Sequence, residues 1–100
     1  MSGLAPQTRD WLANRGFTVR EEAMWIAALT HGSTGEAYNY DRLEFLGDRV
    51  LGLSVAQWLF DCLEEPEGKL ALRLNAMVSR QMCAEIGRGI GLPRHLRISK

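Results

Sequence analysis

The sequence predicts an all-α domain of five helices. Apolar residues recur at three- and four-residue spacing through most of the chain, and no stretch alternates apolar and polar residues long enough to specify a strand. Clusters of Gly, Pro, Ser, Thr and Asn fall between these periodic segments, where they mark turns.

The first helix is expected over roughly residues 6–15. Pro6 suits a first turn, where a missing N–H costs nothing, and Gly16 is a natural stop. Thr18 or Arg20 leads into EEAMWIAALTHGS, the second helix. Its Met24, Ala27, Ala28 and His31 share a helical face, acids at its start suit the N-terminal dipole, and it should end near Gly32. GSTGEAYNY (32–40) has loop composition. The third helix should start near Asn39 or Asp41, with Asn39 as N-cap, and run to about Leu63. Pro66 and Gly68 mark a break. LALRLNAMV (70–78) makes the fourth helix. Ser79 then caps RQMCAEIGRGIG (80–91), which stops at Gly91 ahead of Pro93. The tail HLRISK is expected to be irregular. It follows a turn directly, so a further element is expected beyond it.

Composition narrows the function classes. The chain has 100 residues, 46% hydrophobic and 24% charged, which fits one globular domain. Twelve bases balance twelve acids, so bulk charge does not recruit nucleic acid. Ten of the bases are Arg, a bias that genome composition explains as well as phosphate binding does. No segment is long and apolar enough to span a membrane, and MSGLAPQTRDW lacks the pattern of a signal peptide. Cys62 and Cys83 match no metal spacing; they are expected to be free thiols in a reducing, cytoplasmic compartment.

YDRLEFLGDRVL (40–51) raises the functional question. At the helical step of about 100° per residue, Asp41, Glu44 and Asp48 fall within one narrow stripe. Leu43, Leu46, Val50 and Leu53 take the opposite side, with Phe45 and Leu51 flanking the acids. Like charges three and four residues apart repel, and partial burial would raise the cost. Arg42 and Arg49 point elsewhere on the wheel, near about 100° and 80°. A solvated polar face accounts for the seam; so do divalent cations, since hard oxygen donors on a rigid helix suit Mg²⁺. Gly47 and Gly52 each cost roughly 1 kcal/mol against Ala inside a helix. Their presence points to something close to the backbone, such as another helix, a partner chain or a substrate.

DRLEFLGDRVL (41–51) closely resembles the signature of the ribonuclease III family. ALTHGS (28–33) resembles that family's LTH segment at the right distance upstream, and PEGKLALRLNAMVS (66–79) resembles its EG-containing segment downstream. The likeness covers roughly residues 20–97. It implies an all-helical, Mg²⁺-dependent endonuclease domain, with Mn²⁺ as a substitute, that pairs as a homodimer and cuts double-stranded RNA, with no membrane involvement. Expected roles in structured-RNA, ribosomal and messenger RNA processing follow from the same likeness.

Residue by residue, Glu44 matches the family's metal-binding glutamate and Asp48 its catalytic aspartate, also at the metal. Asp41 and Glu67 would support substrate or line the cleft. Phe45 matches an aromatic that packs into the partner subunit. Gly32 stands where the family often has arginine, and Leu72 also departs from the common pattern. The family's second acidic pair, an Asp and a Glu three apart, would lie beyond Lys100. The likeness therefore implies a catalytic domain cut short on its C-terminal side, without the double-stranded-RNA-binding domain that often follows. Asp61 and Glu64 have the pair's spacing but come too early, and are expected to be surface charges. His31 is expected to hold a structural hydrogen bond, and Trp11, Trp25 and Trp58 to pack in the core. Arg73, Arg80 and Arg88 fit a phosphate track and solvated faces equally well. The competing reading is a non-catalytic member that dimerises or binds RNA with the same helices.

Overall fold

A computed structural model describes residues 3–99. Among them are α1 (Pro6–Asn14), α2 (Glu22–Ala28), α3 (Asp41–Cys62), α4 (Glu67–Met77) and α5 (Arg80–Gly89). Two short 3-10 turns, Gly32–Thr34 and Leu92–His95, complete the order. No strand forms among the described residues; one isolated parallel bridge joins Thr30 and Arg97. The chain is all-α, as its periodicity predicts. It divides into two compact units, Met1–Glu44 with Arg94–Lys100, and Phe45–Pro93.

In the first unit, the backbone N–H groups of Thr8 and Arg9 both donate to the Ala5 carbonyl, and Pro6 fills the first helical position of α1. At its other end, Phe17 N–H donates to the Leu12 carbonyl and Gly16 N–H to that of Ala13. This double closure needs a left-handed residue, and Gly16 supplies it with φ of 87°. Leu12, Ala27, Leu29, Thr8 and Thr30 are the buried residues here. Trp11 stacks on His95 with centroids 4.5 Å apart, and Trp25 meets Phe17 edge-on at 5.4 Å. Arg9 pairs with Glu22.

The second helix stops earlier than its apolar spacing suggests. Thr30 Oγ1 donates to the Ile26 carbonyl at 2.6 Å, and the chain leaves the helix at Leu29. His31 is extended (φ −74°, ψ 147°) rather than helical. The reason lies far away in sequence: Arg97 N–H donates to the Leu29 carbonyl and His31 N–H to the Arg97 carbonyl, each at 2.8 Å. Apart from the Thr30–Arg97 bridge and the 3-10 turn ending at His95, the tail through residue 99 is irregular, as expected. Its main chain competes successfully for groups that a longer helix would have used.

In the second unit, α4 begins at Glu67, so Gly68 lies inside its first turn and only Pro66 marks the break. Ser79 caps α5 as expected, accepting from Met82 N–H at 3.1 Å while donating to the Ala76 carbonyl. Gly87 is buried because Leu92 closes over it; a Cβ there would meet Leu92 Cδ2 at 3.4 Å. Glu65 accepts from Arg73 through both oxygens. That hydrogen bond, with the arginine's charge, holds the Glu65 carboxyl below its ordinary value.

The third helix is not an enclosed core helix among the described residues. Leu59 is its one buried position. Phe45, Leu46, Val50, Leu53, Trp58 and Phe60 are each more than half exposed, so Trp58 departs from the expected core packing. Nothing among the described residues lies within 4 Å of a Cβ placed at Gly47 or Gly52, so none of them accounts for these glycines.

Two outcomes are expected. Leu12→Ala should lower stability by about 2–5 kcal/mol, read by denaturant unfolding, because Leu12 is 3% exposed. The chain should self-associate or unfold with poor cooperativity, since so much apolar surface on α3 is bare. A sharp, concentration-independent melt of a monomer in sedimentation and calorimetry would contradict this.

Candidate functional site: the acidic edge of the third helix

The loop 31–40 is built to deliver the start of α3 in a fixed place. His31 Nδ1 accepts from Ser33 N–H at 2.9 Å, the structural role expected of this histidine. Thr34 Oγ1 donates to the His31 carbonyl, and Glu36 N–H donates back to Thr34 Oγ1. Asn39 Nδ2 donates to the Glu36 carbonyl at 2.9 Å, while its Oδ1 accepts from Asp41 N–H at 3.0 Å. Asn39 thus serves the helix end from one position further out than a normal N-cap. The first helical hydrogen bond runs from Glu44 N–H to the Tyr40 carbonyl at 2.7 Å.

Residues 41–62 form one continuous helix, so the spacing of Asp41, Glu44 and Asp48 does place them along one edge. Asp41 and Glu44 occupy the first turn, where the helix dipole favours negative charge. All three acids are exposed. Their mutual repulsion is therefore softened by solvent, and the burial cost expected from the sequence does not apply. Among the described residues no Lys, Arg or His forms an ion pair with any of them. Arg49 instead lies over the Phe45 ring, 4.5 Å from its centroid, which matches its direction on the wheel. Phe45 keeps 64% of its surface exposed. Glu67 opens α4 and is exposed, and Asp61 and Glu64 are exposed as expected of surface charges.

Tyr40 senses this edge. It is half-buried and meets His31 edge-on, with centroids 5.3 Å apart. Burial raises its phenol above the ordinary value of 10.0, and the negative charges of Glu44 and Asp41 push it further. Gly32 also borders the edge: a Cβ there would stand 3.4 Å from Asp41 Oδ2. A larger side chain at Gly32 would grow toward that carboxylate.

The donors on α3 are hard oxygens of the type that holds Mg²⁺. Glu44 and Asp48 could each give one. Among the described residues, however, no three His, Cys, Asp or Glu side chains converge to hold a metal. The donor set thus has the right chemistry and is incomplete. Cys62 and Cys83 are free and exposed. No helix among the described residues is long and apolar enough to cross a membrane.

The architecture is an all-α domain that carries an exposed acidic edge on α3. A family model described as Ribonuclease-III-like matches residues 21–100, and the chain belongs to that family. It is 52% identical over 93 residues to Ribonuclease 3 of Zymomonas mobilis, covering 91% of this chain and 37% of that protein. Against Ribonuclease 3 of Bartonella bacilliformis it is 50% identical, covering 87% and 39%. The nuclease domain of ribonuclease III from Campylobacter jejuni superposes with a TM-score of 0.86 at 31% identity, covering 95% of this chain and 65% of that one. A second structure of that domain, described for flexibility in a region involved in dimer formation, gives 0.83 at 33% identity, covering 89% and 63%. The chain therefore spans less than two fifths of the length of these curated relatives.

Sequence reasoning found the acids but missed what holds them. Thr30, Glu36 and Arg97 were not singled out. The only available signal was a short apolar rhythm in HLRIS, too brief to count as a strand.

The expected check on the geometry is a titration. Glu44→Gln should lower the Tyr40 pKa toward 10.0, followed by phenolate absorbance. Because the folded value is raised, this tyrosine's contribution to stability is complete below pH 10.0 and is lost as pH climbs through the folded value. An unmoved titration would show that Glu44 does not lie near the phenol.

Proposed function

We propose that this chain supplies the first acidic motif of a ribonuclease III-type endonuclease that hydrolyses double-stranded RNA. The observation that carries the proposal is the pair Glu44 and Asp48, one turn apart on an exposed, unpaired helix edge within a chain of this family. Glu44 and Asp48 would hold Mg²⁺, or Mn²⁺ in its place. When bound, such an ion lowers the pKa of water and relieves charge on phosphate oxygens. Asp48 also orients the attacking water. Asp41, and Glu67 at the head of α4, serve substrate and cleft. No protein nucleophile is required.

The remaining ligands are assigned to a second acidic pair outside these 100 residues. Phe45, exposed beside Arg49, is assigned to a contact with a second copy. Two dyad-related sites would cut opposite strands across the shallow minor groove of an RNA duplex, which is recognised mainly by shape. Structured RNAs, including ribosomal and messenger precursors, are the proposed substrates, and the cytoplasm the proposed location.

The second reading, a non-catalytic dimerisation or RNA-binding module, draws on the absence of three converging ligands among the described residues. One experiment separates the two. In the longer gene product that the first reading calls for, Asp48→Asn should abolish cleavage of duplex RNA and leave binding largely intact. Unchanged cleavage would remove Asp48 from the chemistry, and no cleavage by the unaltered protein would favour the module.

A further inference from the structure

Thr30 is wholly buried, with 0% of its surface exposed. Two segments converge on it. Tyr40 N–H donates to its carbonyl at 3.0 Å, and Arg97 Nη1 donates to its Oγ1 at 3.1 Å. The other terminal nitrogen of Arg97 donates to both oxygens of Glu36, at 2.9 and 3.0 Å. The same residue brackets Thr30 through its main chain, at Leu29 and His31. Ser99 N–H adds a bond to Ser33 Oγ. Arg97 is thus joined both to the residue that receives the start of α3 and to the loop that leads into it. From Tyr40, the next bond in line is the one made by Glu44 N–H. Every member of this series belongs to the first unit.

We infer that Arg97 is a positioning residue for Glu44: through Thr30, Glu36 and Tyr40 it fixes where the first turn of α3 presents its carboxylate. The inference rests on the proposed role of Glu44 as a metal ligand. A planar guanidinium suits the task, because it can serve a hydroxyl and a carboxylate at once in fixed directions, which a lysine ammonium does less well.

The test compares Arg97→Ala, Arg97→Lys, Glu36→Gln and the charge exchange Glu36→Arg with Arg97→Glu, all in the 100-residue chain. Amide hydrogen exchange is read at Tyr40 and Glu44, Mn²⁺ affinity is read by electron paramagnetic resonance, and circular dichroism checks folding. Arg97→Ala should speed exchange at both amides by about tenfold, as expected for losing a charged hydrogen-bond set, and weaken Mn²⁺ binding severalfold. Amides of Leu59 and of α5 should be unaffected. Arg97→Lys should fall between, and the charge exchange should recover part of the protection. Wild-type exchange at Tyr40 and Glu44 in Arg97→Ala would overturn the positioning role whatever the manganese result. Responsive amides, with Mn²⁺ bound by the wild-type chain and bound equally well by Glu44→Gln, would instead overturn the metal-ligand role of Glu44 and with it the purpose assigned to Arg97.

Discussion

The hydroxyl and carbonyl of Thr30 are the fixed point from which the acidic helix is launched. A threonine with no exposed surface must place both polar groups on partners. Its hydroxyl gives its proton to Ile26 and receives one from Arg97, and its carbonyl receives Tyr40 N–H. Ending α2 here, rather than two or three residues later, frees the backbone of Leu29 and His31 for Arg97. The loop adds its own short-range bonds, from His31 to Asp41, to the long-range bonds that Glu36 and Ser33 accept, and together they set down the first residue of α3.

The acids are an exposed edge rather than a buried seam, and that changes what can be argued from them. Burial would have made three unpaired carboxylates expensive and so demanded a counter-ion. With all three in solvent, repulsion alone demands nothing, and a solvated face remains physically cheap. The weight passes to family membership, to the freedom of Glu44 and Asp48 from arginine, and to the bare apolar flanks of the same helix. Gly47 and Gly52 belong with those flanks. Each leaves open space where a methyl group would fit, so any occupant comes from outside the described residues.

Much of the architecture was legible because it is local. Pro6, Gly16 and Ser79 act within a few residues of themselves, and each sits where its chemistry places it. The acidic edge was legible for the same reason, since three- and four-residue spacing determines it once the helix exists. What escaped was set by distant partners. The early end of α2 answers to Arg97, sixty-seven residues from Thr30. The entry of α4 shifted because Pro66 caps it and a glycine near a helix start is tolerated. Trp58 looked like core because helical register records which face is apolar, and register cannot say whether anything covers that face.

The first unit is discontinuous: its closing piece, with Arg97, comes after all of α3, α4 and α5. During vectorial synthesis the chain emerges N-terminus first. The Leu29 carbonyl and the His31 N–H must therefore wait for their Arg97 partners until the helices of the other unit have been made. Joining the two ends also carries the entropic penalty of closing a long loop. The segment that steadies Glu44 can thus reach its native arrangement only after α3, α4 and α5 have been made.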